Sequence, residues 1–426
     1  MKAAPDCHRL SARADFSALP SDAPRIGPVE RFDAIVVGAG PAGSTTAYRL
    51  ARARTRVLLV DKASFPRDKP CGGGLTLRAV RQLPDDLDVE PVVEHVVDRM
   101  ELRLRYGASF ARGGSKALIL MTQRRRLDHH LAEQAASAGA DFRDGVRVTD
   151  VSAEQTGVSV RVDGERVEAA ALVGADGANG TTARTLGLGE GTVHGVAFEG
   201  NVPYGPVPVE RYRGLAALEL GTIPGGYGWV FPKGDHVNVG VGGWESEGPR
   251  LREHLSELCR QHAVDETRVE SLRGHRLPLR RAGAPAARGR ALLVGDAAGL
   301  VDPLSGDGMY EAFISSRLAA SAVLELLAGC ADTLEPYSVA LARAVGPLHS
   351  ASWGAKIALD RFPRATFALG RVPIAWGVIE RLLCGDIGHP GAERSRLSRV
   401  PLRLIEALAK AAGDPGAAYR LEARAA

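Results

Sequence analysis

The chain has 426 residues, of which 45% are hydrophobic and 24% are charged. This length exceeds what one ordinary core supports, so we expect a globular protein of two or three domains. Aromatic residues make up only 5% and the net charge is a mild +4. This balance argues against a nucleic-acid partner and permits, without demonstrating, attraction to phosphate groups or anionic lipid. Apolar runs stay well short of the roughly 18 residues that cross a bilayer.

The N-terminal residues 1–30 contain proline, alanine and aspartate and lack the apolar segment of a secretory signal. We therefore predict a disordered extension there. The cysteines are odd in number and form no CxxC pair: Cys7, Cys71, Cys259, Cys330 and Cys384. Scattered cysteines of this kind indicate reduced thiols and a cytoplasmic location. The sequence leaves peripheral association with a membrane open.

The first predicted elements are a strand, a glycine-rich turn, a helix and a second strand, between Arg31 and Lys62. The turn reads GAGPAG, and an acid follows 23 positions after its first glycine. Such glycines let the backbone approach a pyrophosphate at the helix N-terminus, and the acid is placed to bind a ribose hydroxyl. We predict that the adenosine half of a dinucleotide contacts Gly38, Gly40, Pro41, Ala42, Gly43, Asp61 and Lys62.

Two later segments indicate which dinucleotide is bound. Residues 171–184 read ALVGADGANGTTAR, and residues 291–311 read ALLVGDAAGLVDPLSGDGMYE. An acid beside a second glycine-rich helix start suits a ribityl chain and a flavin ring. In this order the motifs resemble the FAD-binding fold of p-hydroxybenzoate hydroxylase and its relatives. The resemblance implies FAD contacts at Arg124, Asp176, Gly295, Asp296, Pro303, Gly306, Asp307, Gly308 and Met309, with a surface position as the alternative for Arg124.

Two further segments narrow the family: PRDKPCGGG at residues 66–74 and YGWVFP at residues 227–232. With the motifs above, they resemble the geranylgeranyl reductase family of flavoproteins over roughly residues 33–327. Members of that family hydrogenate isoprenoid double bonds of archaeal-type lipids, of the chlorophyll tail or of quinone side chains. One departure is Gly180, where the broader superfamily usually has Ser, and the arginine comes one residue late, at Arg184.

The resemblance implies an α/β fold with a Rossmann-like FAD-binding domain, an inserted antiparallel-sheet substrate domain and a helical C-terminal region. Alternating apolar positions at residues 236–241 favour antiparallel strands, and residues 251–262 favour a helix. We place the FAD-binding domain in residues 31–75, 115–187 and 285–330, the substrate-binding domain in residues 76–114 and 188–284, and the helical region in residues 331–426.

The last predicted helix spans residues 402–412 and is amphipathic. Its apolar side carries Leu402, Ile405, Leu408 and Ala409. Such a segment either lies in a membrane interface or packs on its own domain.

Hydrogenation of an isoprenoid double bond by a reduced flavin needs a hydride donor, a proton source and a dry tunnel that aligns the chain. Cys71 is the candidate catalytic proton donor, with a small apolar group packed against the flavin as its alternative role. We expect Cys71, Gly72 and Gly73 beside the cofactor. Lys69 holds a flavin or lipid phosphate or, alternatively, is a solvated surface lysine.

Tyr227, Trp229 and Phe231 alternate along a predicted strand and therefore share one of its faces. We expect this face to form a wall of the substrate tunnel over the flavin. No second GxGxxG follows a strand, so NADPH, NADH or a reduced electron carrier would dock transiently as the electron donor. The histidines lack ligand-like spacing, and we predict no metal site.

Three functional classes remain. The first is an FAD-dependent oxidoreductase that hydrogenates double bonds of a prenyl, geranylgeranyl-type or related polyene substrate, such as a prenylated lipid or quinone. The second is an FAD-dependent monooxygenase or halogenase acting on an aromatic or polyketide metabolite. Halogenases of this fold, however, have a segment similar to WxWxIP at the position where this chain has YxWxFP. The third is a prenyl-binding relative without flavin, against which the intact glycine motifs argue.

Overall fold

The structure is a computed structural model that describes residues 29–114, 116–154, 156–189, 192–205 and 209–413. Residues 1–28 of the predicted disordered extension, which include Cys7, lie outside the described residues. The strands are β1 (Glu30–Val37), β2 (Val57–Val60), β3 (Gly74–Thr76), β4 (Val93–Val97), β5 (Arg99–Leu104), β6 (Ser109–Gly113), β7 (Ile119–Thr122), β8 (Asp141–Arg143), β9 (Val148–Ala153), β10 (Val158–Val162), β11 (Glu165–Gly174), β12 (Val193–Pro203), β13 (Leu215–Leu220), β14 (Tyr227–Pro232), β15 (His236–Trp244), β16 (Glu270–Leu279), β17 (Ala287–Arg288) and β18 (Ala291–Leu293). The helices are α1 (Pro41–Arg52), α2 (Leu77–Val80), α3 (Arg124–Ser137), α4 (Thr182–Thr185), α5 (Val209–Tyr212), α6 (Leu251–Gln261), α7 (Met309–Leu327), α8 (Glu335–Arg361), α9 (Pro363–Gly370), α10 (Pro373–Cys384) and α11 (Arg399–Ala411).

The first sheet has a parallel centre in the order β18-β11-β1-β2-β8. β1 is apolar and buried along its second half, and it pairs in parallel with β2 on one side and β11 on the other. β17, β10 and β9 extend the sheet with antiparallel pairings. Because the strands are parallel, their carboxyl ends meet at one edge, where ligands of open α/β sheets bind.

Helices α1, α3 and α7 pack against this sheet or on one another. Leu127, Leu131 and Ala135 of α3 are fully buried, so this face of the helix packs into the core. Between α1 and α7, the Thr45 hydroxyl donates a hydrogen bond to the Ser316 hydroxyl at 2.8 Å. The small residues of this contact bring the two helices close together, so both of their N-termini reach the same edge of the sheet.

The second sheet has seven strands in the order β16-β12-β15-β14-β13-β5-β6. Its pairings are antiparallel, as predicted, except that β13 and β5 run in parallel. Helix α6 covers one face through Leu255 and Leu258, which pack with Val230 and Val239. Along β14 the side chains alternate, so the aromatic residues lie on the opposite face from Val230.

The C-terminal region is helical, as predicted. Pro363 and Pro373 occupy the first positions of α9 and α10, where a missing N–H costs little. These helices pack on the end of the second sheet formed by β13, β5 and β6, with Phe367 beside Phe110 and Trp376 beside Ala216. Within the described ranges, no helix combines the length and apolarity needed to cross a bilayer.

Residues 99–113 and 193–279 supply the strands of the second sheet, whereas residues 30–60, 141–174 and 287–293 supply those of the first. A third sheet has the order β3-β7-β4, and in the chain β5 and β6 of the second sheet come between its strands β4 and β7. The domain boundaries themselves stay a prediction.

Candidate functional site

The glycine-rich turn after β1 uses its three glycines differently. A Cβ on Gly38, whose φ is +105°, would overlap the carbonyl of Ala175, and a Cβ on Gly43 would overlap the carbonyl of Gly38. These two positions therefore require glycine for close packing of strand, turn and helix. A Cβ on Gly40 would have only the Arg67 and Arg124 guanidinium nitrogens near it, at 3.7 and 3.9 Å. Gly40 leaves space open toward two cations.

Arg124 and Arg67 share one carboxylate beside that space. Arg124 is 6% exposed and donates to both oxygens of Asp128, at 2.6 and 2.7 Å. Arg67 reaches Asp128 at 2.8 Å. Arg124 is thus a buried, fixed cation, which excludes its alternative position on the surface. The sequence motifs predicted no role for Arg67, although it lies in the PRDKPCGGG segment.

Two of the predicted acids bind backbone N–H groups. Asp61 accepts the N–H of Ala39 at 2.8 Å and that of Ala63 at 2.9 Å. Asp176 accepts those of Thr181 and Thr182 at 2.7 and 2.9 Å. Each acid shapes its loop at the edge of the first sheet.

The departures near Asp176 have a structural counterpart. A Cβ on Gly180 would overlap the Asp176 carboxylate, so a serine could not stand there with Asp176 in this position. Arg184 lies on α4 and does not line the cavity described below, whereas Asp176 does.

The second glycine-rich segment also ends at a helix N-terminus. Gly308 is the N-cap of α7, and Asp307 accepts the N–H of Met309 at 2.8 Å. Burial raises the pKa of Asp307 to about 7, helped by the nearby Glu311 carboxylate. The positive end of the α7 dipole therefore faces the same space as the start of α1.

Cys71 lies between two buried ionisable side chains for which the sequence motifs predicted no role. Glu199 on β12 accepts the backbone N–H of Cys71 at 2.5 Å, and Lys233 after β14 donates to the carbonyl of Gly72 at 2.5 Å. Glu199 is 7% exposed and Lys233 is 2% exposed. A glutamate in an apolar strand, and a lysine directly after YGWVFP, were the available signals.

The three aromatic residues of β14 form a continuous wall. Ring centroids of Tyr227 and Trp229 are 6.0 Å apart, and those of Trp229 and Phe231 are 6.2 Å apart. The Trp229 indole N–H donates to Asn238 at 2.8 Å, and the Tyr227 hydroxyl donates to the carbonyl of Ser305 in the loop before α7. The wall is therefore tied to the second glycine-rich segment.

A cavity of about 910 Å³ joins these parts. It runs from the first glycine-rich turn past Cys71 and the aromatic wall to apolar side chains of α9, α10 and α11. Of the predicted site residues, only Gly43 does not line it, since Gly43 packs inside the turn. The lining set comprises Gly38, Gly40, Pro41, Ala42, Asp61, Lys62, Lys69, Cys71, Gly72, Gly73, Arg124, Asp176, Tyr227, Trp229, Phe231, Gly295, Asp296, Pro303, Gly306, Asp307, Gly308 and Met309.

These residues fit FAD. The open space at Gly40, two guanidinium groups and two helix N-termini suit a diphosphate. The acids at the edge of the sheet suit ribose and ribityl hydroxyls. The site lies where parallel α/β sheets bind ligands.

Asp302, Glu311 and His349 form a buried cluster whose potential ligand atoms lie within 4.8 Å of one another. Protein groups already occupy much of it. Asp302 accepts hydrogen bonds from the N–H of Ser305 at 2.8 Å and from Ser352 at 2.5 Å, and Glu311 lies 3.3 Å from His349. Burial alone would lower the pKa of His349, but its hydrogen bond to Glu311 raises it overall.

Comparisons with known proteins agree with this geometry. Residues 31–340 match the FAD binding domain family. Menaquinone reductase of Mycolicibacterium smegmatis is 36% identical over 68% of this chain and 76% of that protein. Geranylgeranyl diphosphate reductase of Rhodobacter capsulatus is 31% identical over 74% of this chain and 79% of that protein. A geranylgeranyl bacteriochlorophyll reductase-like structure from Thermoplasma acidophilum has a TM-score of 0.73 at 23% identity, over 89% of this chain and 100% of that chain. Flavin-dependent halogenases share the fold as well.

Fold and site together define an FAD-dependent oxidoreductase. Within that class, the chain belongs to the geranylgeranyl reductase family, which confirms the resemblance of its sequence motifs.

Proposed function

We propose that this protein hydrogenates carbon–carbon double bonds of a long prenyl chain, as in a prenylated lipid or quinone. The continuous cavity is the observation that carries this proposal. Its FAD-binding end is polar and charged, whereas its far end is lined by apolar side chains of the second sheet and the C-terminal helices, such as Leu102, Leu218, Trp376 and Leu402. The apolar end can bury an extended apolar chain, and such burial contributes about 25 cal/mol per Å² of apolar surface to binding.

When bound, reduced FAD supplies hydride to one carbon of the double bond. The chain's own residues have three tasks. Tyr227, Trp229 and Phe231 orient the alkene and exclude water. Cys71 lines the cavity between the first glycine-rich turn and the aromatic wall, and it holds the proton for the second carbon. The donor that reduces the flavin is NADPH, NADH or a reduced electron carrier, which docks transiently.

The C-terminal helices offer a route for an apolar substrate from a membrane. Leu397, Val400 and Leu404 are 70%, 53% and 47% exposed, and they lie beside residues of α11 that line the cavity. Exposed apolar side chains of this kind favour peripheral association. We expect the protein to float with phospholipid vesicles, and the Leu397→Ser, Val400→Ser, Leu404→Ser triple variant to float less. Equal flotation would contradict the association.

A monooxygenase or halogenase is the second candidate, because halogenases share the fold. An oxygen-using enzyme needs oxygen before it acts on substrate, whereas an alkene reductase needs none. The two therefore diverge in an anaerobic reaction with dithionite or a nicotinamide and a prenylated lipid or quinone.

We expect anaerobic flavin reoxidation coupled to a product heavier by two mass units per reduced bond. Oxygen consumption that depends on substrate, with a product heavier by sixteen and no anaerobic turnover, would favour the monooxygenase. A halogenated product would favour the halogenase.

A further inference from the structure

The Cys71–Gly73 segment is held by two buried side chains, an acid and a lysine. Glu199 accepts the N–H of Cys71 at 2.5 Å, and Lys233 donates to the carbonyls of Gly72 and Thr122 at 2.5 and 2.7 Å. The N–H of Gly73 in turn donates to the Cys71 sulfur at 3.4 Å. The acid and the lysine thus both contact the segment that carries the thiol.

Close backbone approach makes this arrangement tight. Gly73 has φ of +69°, and a Cβ there would overlap the carbonyl of Thr122 and the Lys233 ammonium. A Cβ on Gly72 would lie 3.0 Å from the Phe231 ring. The glycines after Cys71 therefore admit Lys233 on one side and the aromatic wall on the other.

We propose that Cys71, Glu199 and Lys233 form one proton-transfer group, in which the Lys233 ammonium stabilises the Cys71 thiolate and the Glu199 carboxyl returns the proton. This inference rests on the proposed reduction of a double bond. The hydride of reduced flavin brings an electron pair to one carbon, and the other carbon takes the Cys71 proton, so the S–H electron pair stays on sulfur. Glu199 then gives its O–H proton to the thiolate and regains one from water between turnovers.

The charges around the group agree with these roles. Burial raises the pKa of Glu199 to about 7, and the nearby Asp68 carboxylate contributes to this rise. The Cys71 N–H, Lys233 and Arg124 oppose it, because each of them lowers the pKa. Burial lowers the pKa of Lys233 to about 8, against raising by Cys71, Glu199 and Glu94. Near neutral pH the acid therefore holds a proton in a large fraction of molecules, while the lysine is mostly charged.

The rate of Cys71 alkylation by iodoacetamide at each pH tests the group without turnover, with peptide mass analysis to separate Cys71 from the other cysteines. We use the purified flavoprotein from pH 5.5 to 10. Lys233→Met removes a cation and should raise the midpoint of the curve of alkylation rate against pH by about one pH unit. Glu199→Gln keeps the hydrogen-bond acceptor but removes a negative charge, so it should lower the midpoint. Lys233→Arg should retain most of the wild-type profile.

Glu219→Gln is the matched control. Glu219 is 1% exposed and accepts the N–H of Tyr106 at 2.6 Å, so it is a buried acid of the same kind away from Cys71. Its profile should equal that of the wild type. The proposed proton-transfer group would be wrong if the alkylation midpoint of Glu199→Gln equalled that of the control, or if Glu199→Gln and Lys233→Met shifted the midpoint in the same direction. Opposite shifts of the midpoint, together with no anaerobic turnover on prenyl substrates, would support the proton-transfer group and contradict the proposed function.

Discussion

The Lys69 ammonium lies 3.1 Å from a carboxylate oxygen of Asp296, joining two motifs that are 227 residues apart. His275 approaches the same oxygen at 3.7 Å. Burial by itself would raise the pKa of Asp296, but Lys69 and His275 lower it below its usual range. This ion pair holds the segment that carries Cys71 against the second glycine-rich segment. It favours a position of Lys69 inside the site, beside the cofactor, over a solvated position on the surface.

Lys69→Met should lower the free energy of unfolding by about 1 kcal/mol at pH 7, since it removes a half-buried ion pair. Because the folded pKa of Asp296 is depressed, the stabilisation is present above the unfolded value of about 3.9 and is lost as the pH falls. The difference from the wild type should therefore shrink from pH 5 toward pH 2 in urea unfolding. Lys62→Met, at an exposed position nearby, should show little difference. A loss independent of pH would contradict the pairing.

Gly40→Val should yield folded protein that retains less FAD than the wild type. Its Cβ meets only the two guanidinium groups, so the added methyl groups fill the space expected for the diphosphate. Lost hydrogen bonds of about 1–3 kcal/mol correspond to roughly 5- to 150-fold weaker binding. Absorbance of the bound flavin and circular dichroism measure the two properties.

Gly43→Val is the steric control, since a side chain there overlaps the backbone of Gly38. It should fail to fold, whereas Gly40→Val should keep the wild-type circular dichroism. Stoichiometric FAD in purified Gly40→Val would show that the turn does not hold the diphosphate.

Local patterns predicted the parts of the site in which glycines, a helix start and an acid stand close together in sequence. Gly38–Gly43 and Gly306–Met309 are such parts, because each needs only the turn and the helix that follows it. Glu199 and Lys233 could not be assigned in this way. Their role depends on β12 and β14 lying beside the Cys71 segment, which is a tertiary property. The parallel pairing of β13 with β5 was missed for the same reason.

Trp229→Ala should impair substrate use more than FAD binding. The indole packs between Tyr227 and Phe231 and fills the space beside Gly240, so its loss opens the wall that we propose to orient the alkene. We expect an increased KM for the prenyl substrate with near-stoichiometric FAD. Because a Trp→Ala change in a core costs about 3–5 kcal/mol, Trp229→Phe serves as a second variant that keeps most of the volume and should retain more activity. Loss of FAD with unchanged KM in Trp229→Phe would assign the wall to the cofactor.

Ile405→Trp should shorten the longest prenyl chain that the protein reduces. Ile405 lines the far end of the cavity from α11, where a larger side chain would occupy space that a long chain needs. Ala407, on the same helix, is exposed and lies outside the lining, so Ala407→Trp adds a large side chain on the solvent side. With substrates of increasing isoprenoid number, kcat/KM of Ile405→Trp should fall for the long members alone, whereas Ala407→Trp should follow the wild type. An equal fall for every chain length in Ile405→Trp would mean that the far end of the cavity does not hold the chain, and the apolar path beneath the C-terminal helices would lose its assigned role.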